Sequence, residues 1–189
     1  MLKTILLVAA LDGNAILAQS AAAPGLSSYT VPVHFDVHMH RPIGVTSGVE
    51  GVITYKSPAS ATLDLTKVPG PLGHFFKKSY ALDLVPQMWP VKYNVVSTSS
   101  VEAATDPVYV LTAVPKNDPS LKQVVFKVTQ QSHEPVAAAW SFTDGSSIVL
   151  TIANKSVNGY TLPATEDISV NEPGFALDAT ATYGTYQFP

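Results

Sequence analysis

Cysteine is absent from this 189-residue chain. That excludes disulfides, zinc–thiolate sites, thiol nucleophiles and lipid attachment to an N-terminal cysteine. Charge is scarce too: charged residues make up 13% of the chain, the formal net charge is −3, and the 11 basic residues form no run. Neutralising phosphates needs clustered Lys and Arg, so nucleic acid is excluded as a partner. Neither Gly-x-Gly-x-x-Gly nor Gly-x-x-x-x-Gly-Lys occurs, which leaves no phosphate cradle for a nucleotide cofactor. Gly-x-Ser-x-Gly and Ser-x-x-Lys are missing as well, and the expectation is a protein that is not an enzyme and carries no cofactor. Glu102, Asp106, Glu134, Glu166 and Asp167 fall in expected loops or turns, with no spacing that selects a catalytic pair.

What the chain does have is apolar material, 46% of its residues. That suffices for one domain with its own core. At the N-terminus Met1-Leu2-Lys3 precedes an apolar run from Ile5 to Leu11, and small residues follow around Ala15 to Ala23. The pattern reads as a secretory leader over residues 1–22, with cleavage near Ala21 or Ala23 and a single domain over 23–189. Spanning a bilayer takes about 20 apolar residues, and the run stops at Asp12, so the mature chain is expected to have no transmembrane segment.

Strand signals dominate the rest. Tyr29, Val31, Val33, Phe35, Val37 and Met39 alternate with Thr30, Pro32, His34, Asp36 and His38, a period of two that buries one face. A hairpin partner follows over Val49 to Lys56, then a third run over Ala61 to Leu65. Leu72, Phe75, Phe76, Tyr80 and Leu84 have helical spacing, and Pro86 and Pro90 are expected to end that helix. Further strands are expected at Val91–Val96, Val108–Val114, Val124–Gln130, Val136–Thr143, Ile148–Ile152, Tyr160–Leu162, Asp167–Val170 and Phe175–Phe188. Asp144-Gly145 and Glu172-Pro173-Gly174 carry turn chemistry between them. The fold class is therefore mainly β: a curved antiparallel sheet of about ten strands, as a barrel, incomplete barrel or sandwich, with one short helix covering or plugging one face.

Two constellations bear on function. His34, Asp36, His38 and His40 share the polar face of the first strand, where His34, His38 and His40 are candidate metal ligands. A solvent-facing polar row is the plainer reading of the same residues. Opposite them, Phe35, Val37, Met39, Ile53, Leu63 and Leu65 face inward, and Phe75, Phe76 and Trp89 lie in the covering segment. These apolar side chains either pack one another or line a cavity for an apolar ligand.

The order of elements resembles the LolA-like superfamily of outer-membrane lipoprotein carriers and lipoprotein-sorting proteins. The segments that carry the resemblance are Gly51-Val52-Ile53-Thr54-Tyr55-Lys56-Ser57-Pro58, Tyr109 to Asp118, the strand–turn–strand from Trp140 to Ile152, and Val157-Asn158-Gly159-Tyr160-Thr161-Leu162-Pro163. The carriers open with an amphipathic helix, for which Pro24 to Ser28 has no room. The resemblance implies an incomplete barrel holding helices against its concave face, a periplasmic or secreted location, and a lipid or an acylated protein as partner. It implies that the inward residues named above touch acyl chains. Two rivals stand beside it: a metal-binding exported protein using the His-rich strand, and an envelope protein that acts through a protein partner.

Overall fold

In the computed structural model, residues 11–22, 25–57, 60–66, 68, 70, 84–102 and 107–189 are described. Ten antiparallel strands form one sheet: β1 Ser28–Arg41, β2 Val45–Lys56, β3 Ser60–Leu65, β4 Tyr93–Val101, β5 Val108–Pro115, β6 Leu121–Thr129, β7 Pro135–Phe142, β8 Ser147–Val157, β9 Tyr160–Glu172 and β10 Phe175–Tyr183. Their order is β3-β2-β1-β10-β9-β8-β7-β6-β5-β4. Consecutive strands pair with each other except β3 and β4, and β1 pairs with β10, which brings the chain's two ends together in mid-sheet. β3 and β4 remain as the two edges, so the curved sheet is not closed.

Period-two burial holds the sheet to one register. In β1 every second residue from Tyr29 to Met39 is 3% exposed or less, while Pro32, Asp36, His38 and His40 face water. A one-residue slip against β2 or β10 would turn that whole apolar set outward. Turn chemistry fixes the hairpins. Asn158 and Gly159, both at positive φ, join β8 to β9, and Gly174 at φ 78° follows Pro173 between β9 and β10. Asp144 Oδ1 accepts the Ser146 amide at 2.9 Å, beside Gly145 at φ 86°.

Two short helices lie against the inner face. Helix α1, Gly13–Ala21, is followed at a distance by the 3-10 turn Pro86–Met88 and helix α2, Trp89–Lys92. α1 touches α2, that turn, β4 and β6. Trp89 is fully buried, stacks on Phe126 of β6 with ring centroids 4.6 Å apart, and meets Trp140 of β7 edge-on at 6.3 Å. Trp140 Nε1 donates to Tyr93 Oη at 2.9 Å, so the indole is buried without an orphaned donor.

Pro86 and Pro90 each lie in the first turn of a helical segment, where a residue needs no amide donor. Three details differ from the sequence expectation. Tyr160–Leu162 and Asp167–Val170 are parts of one strand, β9, paired to β8 along its length through a register shift at Ala153/Asn154. Glu166 and Asp167 therefore sit mid-strand and not in a loop. β10 ends at Tyr183, and the chain then returns to β1 through a bridge between Thr30 and Gln187. The expected helix from Leu72 falls, apart from Leu84, outside the described residues.

Candidate functional site

β1 sorts the two candidate constellations to opposite faces of the sheet. On the inner face Phe35, Val37, Met39, Ile53 and Trp89 are each 1% exposed or less and belong to one continuous apolar cluster. Leu63 and Leu65 of β3 pack against that cluster but keep part of their surface in water. Gly51 of β2 makes room for them: a Cβ there would sit 2.8 Å from Leu65 Cδ2 and 3.0 Å from Leu63 Cδ1. With the half-buried Val45 and Val68, they form an apolar lip along the β3 side of the core. Phe75 and Phe76 lie outside the described residues.

On the outer face the imidazoles are engaged one by one. His34 Nδ1 meets Glu50 Oε1 at 2.6 Å and its Nε2 meets Asp36 Oδ1 at 3.2 Å. His38 Nδ1 meets Thr46 Oγ1 at 2.8 Å, and His40 Nε2 meets Asp178 Oδ2 at 2.7 Å. Hydrogen bonds to Glu50 and then Asp36 raise the His34 pKa above its usual value. The bond from His40, with a second from Ser169, holds the Asp178 carboxyl below the usual carboxylate range. The His38 and His40 rings lie 4.5 Å apart, next to a register shift in β1 between Met39 and Arg41. His34, His38 and His40 thus each turn to a different partner, and among the described residues no three His, Asp or Glu side chains converge to hold a metal ion. A shallow cleft of about 360 Å³ on this face is lined by Asp36, His38, Asp167, Asp178 and the hydroxyls of Thr151 and Thr180.

A third constellation lies within the core. Glu166 of β9 is fully buried; its Oε2 accepts from Tyr183 Oη at 2.7 Å, while its Oε1 has no partner among the described residues. Burial pushes the Glu166 carboxyl up to about 8, against the lowering effect of the Tyr183 bond. Tyr29, Tyr55 and Tyr186 pack around it as a ring cluster, with Tyr29 centroids 5.2 Å from Tyr55 and 5.1 Å from Tyr186. The phenols of Tyr29, Tyr183 and Tyr186 are all raised, first by burial, with the nearby Glu166 charge adding to it. Tyr29 Oη reaches Gln87 Oε1 at 3.5 Å, which ties the cluster to the 3-10 turn that covers it. Sequence reasoning missed Glu166, although the signal was present: Glu166 shares strand parity with Ile168 and Val170 and so must face inward with them.

This geometry was compared with known proteins. No protein-family model matches the chain, and no curated protein matches it. Solved structures do. A LolA superfamily protein from Nitrosomonas europaea superposes with a TM-score of 0.60 at 13% identity, over 95% of this chain and 94% of that one. The fold is LolA-like. An outer membrane lipoprotein-sorting protein domain, assigned as putative, from Vibrio parahaemolyticus gives 0.63 at 11% identity, covering 93% and 92%. A DUF1329 family protein from Desulfovibrio piger gives 0.62 at 9% identity, covering 93% and 91%. α1 stands before β1, within the residues that the sequence reading assigned to a leader. Among the described residues no helix is long and apolar enough to cross a membrane.

Proposed function

We propose that this chain is a carrier-like protein of the cell envelope, periplasmic or secreted, that shields the apolar part of a lipid or an acylated protein against the inner face of its sheet. The observation that supports this reading most is the open, LolA-like sheet whose inner face is wholly apolar from Tyr29 to Met39 and ends in a half-exposed lip at Leu63 and Leu65. Shielding is an equilibrium act: each methylene taken from water contributes about 0.8 kcal/mol, so an acyl chain of ordinary length binds without any reactive group.

In this reading the lip is where a chain enters, because Leu63 and Leu65 face inward and are already in contact with water. Phe35, Val37, Met39, Ile53 and Trp89 would meet ligand only as the packing of the covering segments opens. A fluorescent fatty acid titrated into the purified chain tests the reading. Saturable binding that Leu65→Glu weakens at least tenfold, with melting temperature little changed, is the expected result. Equal binding by the variant would remove the lip from the site, and no binding by the parent chain would remove acyl carriage.

A further inference from the structure

The segment from Asp12 to Ala21 combines two descriptions that exclude each other. Its small residues read as the end of a secretory leader, yet it is built into the fold as α1. Asp12 caps the helix, its Oδ1 accepting the amides of Asn14 at 3.0 Å and Ala15 at 3.2 Å. Asn14 then pairs with the edge strand: its Oδ1 accepts the Val95 amide at 2.9 Å and its Nδ2 donates to the Val95 carbonyl at 3.4 Å. One side chain thus satisfies both main-chain groups that Val95 turns away from β5. Gly13 lies so close to β4 that any Cβ would overlap the side chains of Val95 and Thr98. Ile16 and Leu17 are 7% and 1% exposed in the common core.

A leader has no use for such details. Export needs an uninterrupted apolar stretch, and Asp12-Gly13-Asn14 breaks it with the three residues that cap, approach and pair with β4. We propose that α1 is a permanent part of the working protein, so that N-terminal processing occurs before Asp12 and not at the small-residue patterns around Ser20. Retention also keeps β4 partly covered; without α1 its outer edge offers free amides and carbonyls to any passing strand. The inference stands apart from the carrier reading, because it concerns which residues make the fold and not what the fold holds.

The test is the N-terminal sequence and intact mass of the chain after export from cells expressing the full sequence, together with the melting temperatures of Gly13→Val and Asn14→Ala. A product that begins at residue 12 or earlier, with both variants melting several degrees lower, is expected. A product that begins at Ser20, Ala21 or Ala23 overturns the proposal, as does a retained N-terminus in which neither variant changes the melting temperature. Asn14→Ala only removes two hydrogen bonds and leaves the helix former in place, so it remains readable where Gly13→Val fails to fold.

Discussion

Glu166 is the residue at which the inner face departs from apolar packing. A carboxyl held near 8 in the folded state and near the ordinary value in the unfolded one keeps its proton longer when folded. Its contribution to stability is therefore greatest below the unfolded value and is lost as pH rises through about 8. His34, also raised, acts in the same direction, but it is 40% exposed and largely screened by water. The melting temperature is expected to fall between pH 5 and pH 9, and Glu166→Gln is expected to flatten that fall, as thermal melts across the range will show. A Glu166→Gln profile as steep as the parent's would place the titration elsewhere. Tyr183→Phe, which removes the only hydrogen bond at the Glu166 carboxyl among the described residues, should cost about 1–3 kcal/mol in a denaturant melt at pH 5.

Residue roles were unevenly legible in sequence. Inward and outward parity on β1 was plain, because six apolar side chains alternate without a break from Tyr29 to Met39. The partners of His34, His38 and His40 were not, since Glu50 and Thr46 come from β2 and Asp178 from β10, strands whose register against β1 no local pattern shows. Trp89 was expected to lie over the concave face and does, but its stacking on Phe126 joins segments 37 positions apart (126 − 89). Phe75 and Phe76, expected to touch ligand, lie outside the described residues.

At the scale of elements, turns were more readable than ends. Asp144-Gly145 and Pro173-Gly174 sit where their chemistry placed them, because left-handed backbone is a property of one or two residues. The Asn158-Gly159 turn repeats the logic, with Gly159 at φ 84° and nothing within 4 Å of its missing Cβ. Gly159→Ala should then cost about 1 kcal/mol by backbone strain alone, with no steric part, which a denaturant melt will measure. Strand length was less readable. The expectation split β9 into Tyr160–Leu162 and Asp167–Val170, but the strand runs on through Pro163, which pairs with Asn154 beside the register shift. Helix α1 was hidden for a different reason: its small, weakly amphipathic residues match a leader, and its contact with β4 is not visible in any local pattern.

For the molecule as a whole, topology decides the shape. A meander of ten strands whose ends pair at β1–β10 places both free edges, β3 and β4, at the two ends of one stretch of chain, residues 66–92. That stretch holds Trp89, the largest fully buried side chain of the core. Trp89→Ala should cost about 3–5 kcal/mol in a denaturant melt, because it removes the stack on Phe126 and leaves a void that the sheet cannot close. Fold class and strand number were legible from alternation and turns, whereas openness came only with the resemblance to the LolA-like carriers. Whether apolar side chains fill the interior or share it with a ligand was not, because packed and hollow cores use the same residues.

Carriage of an amphiphile is the central claim, and native mass spectrometry of the chain purified gently from the envelope tests it most directly. The account requires an adduct of lipid mass on the parent chain that is lost from Leu65→Glu. A parent chain that carries no added mass, and gains none on incubation with fatty acid or phospholipid, would contradict it.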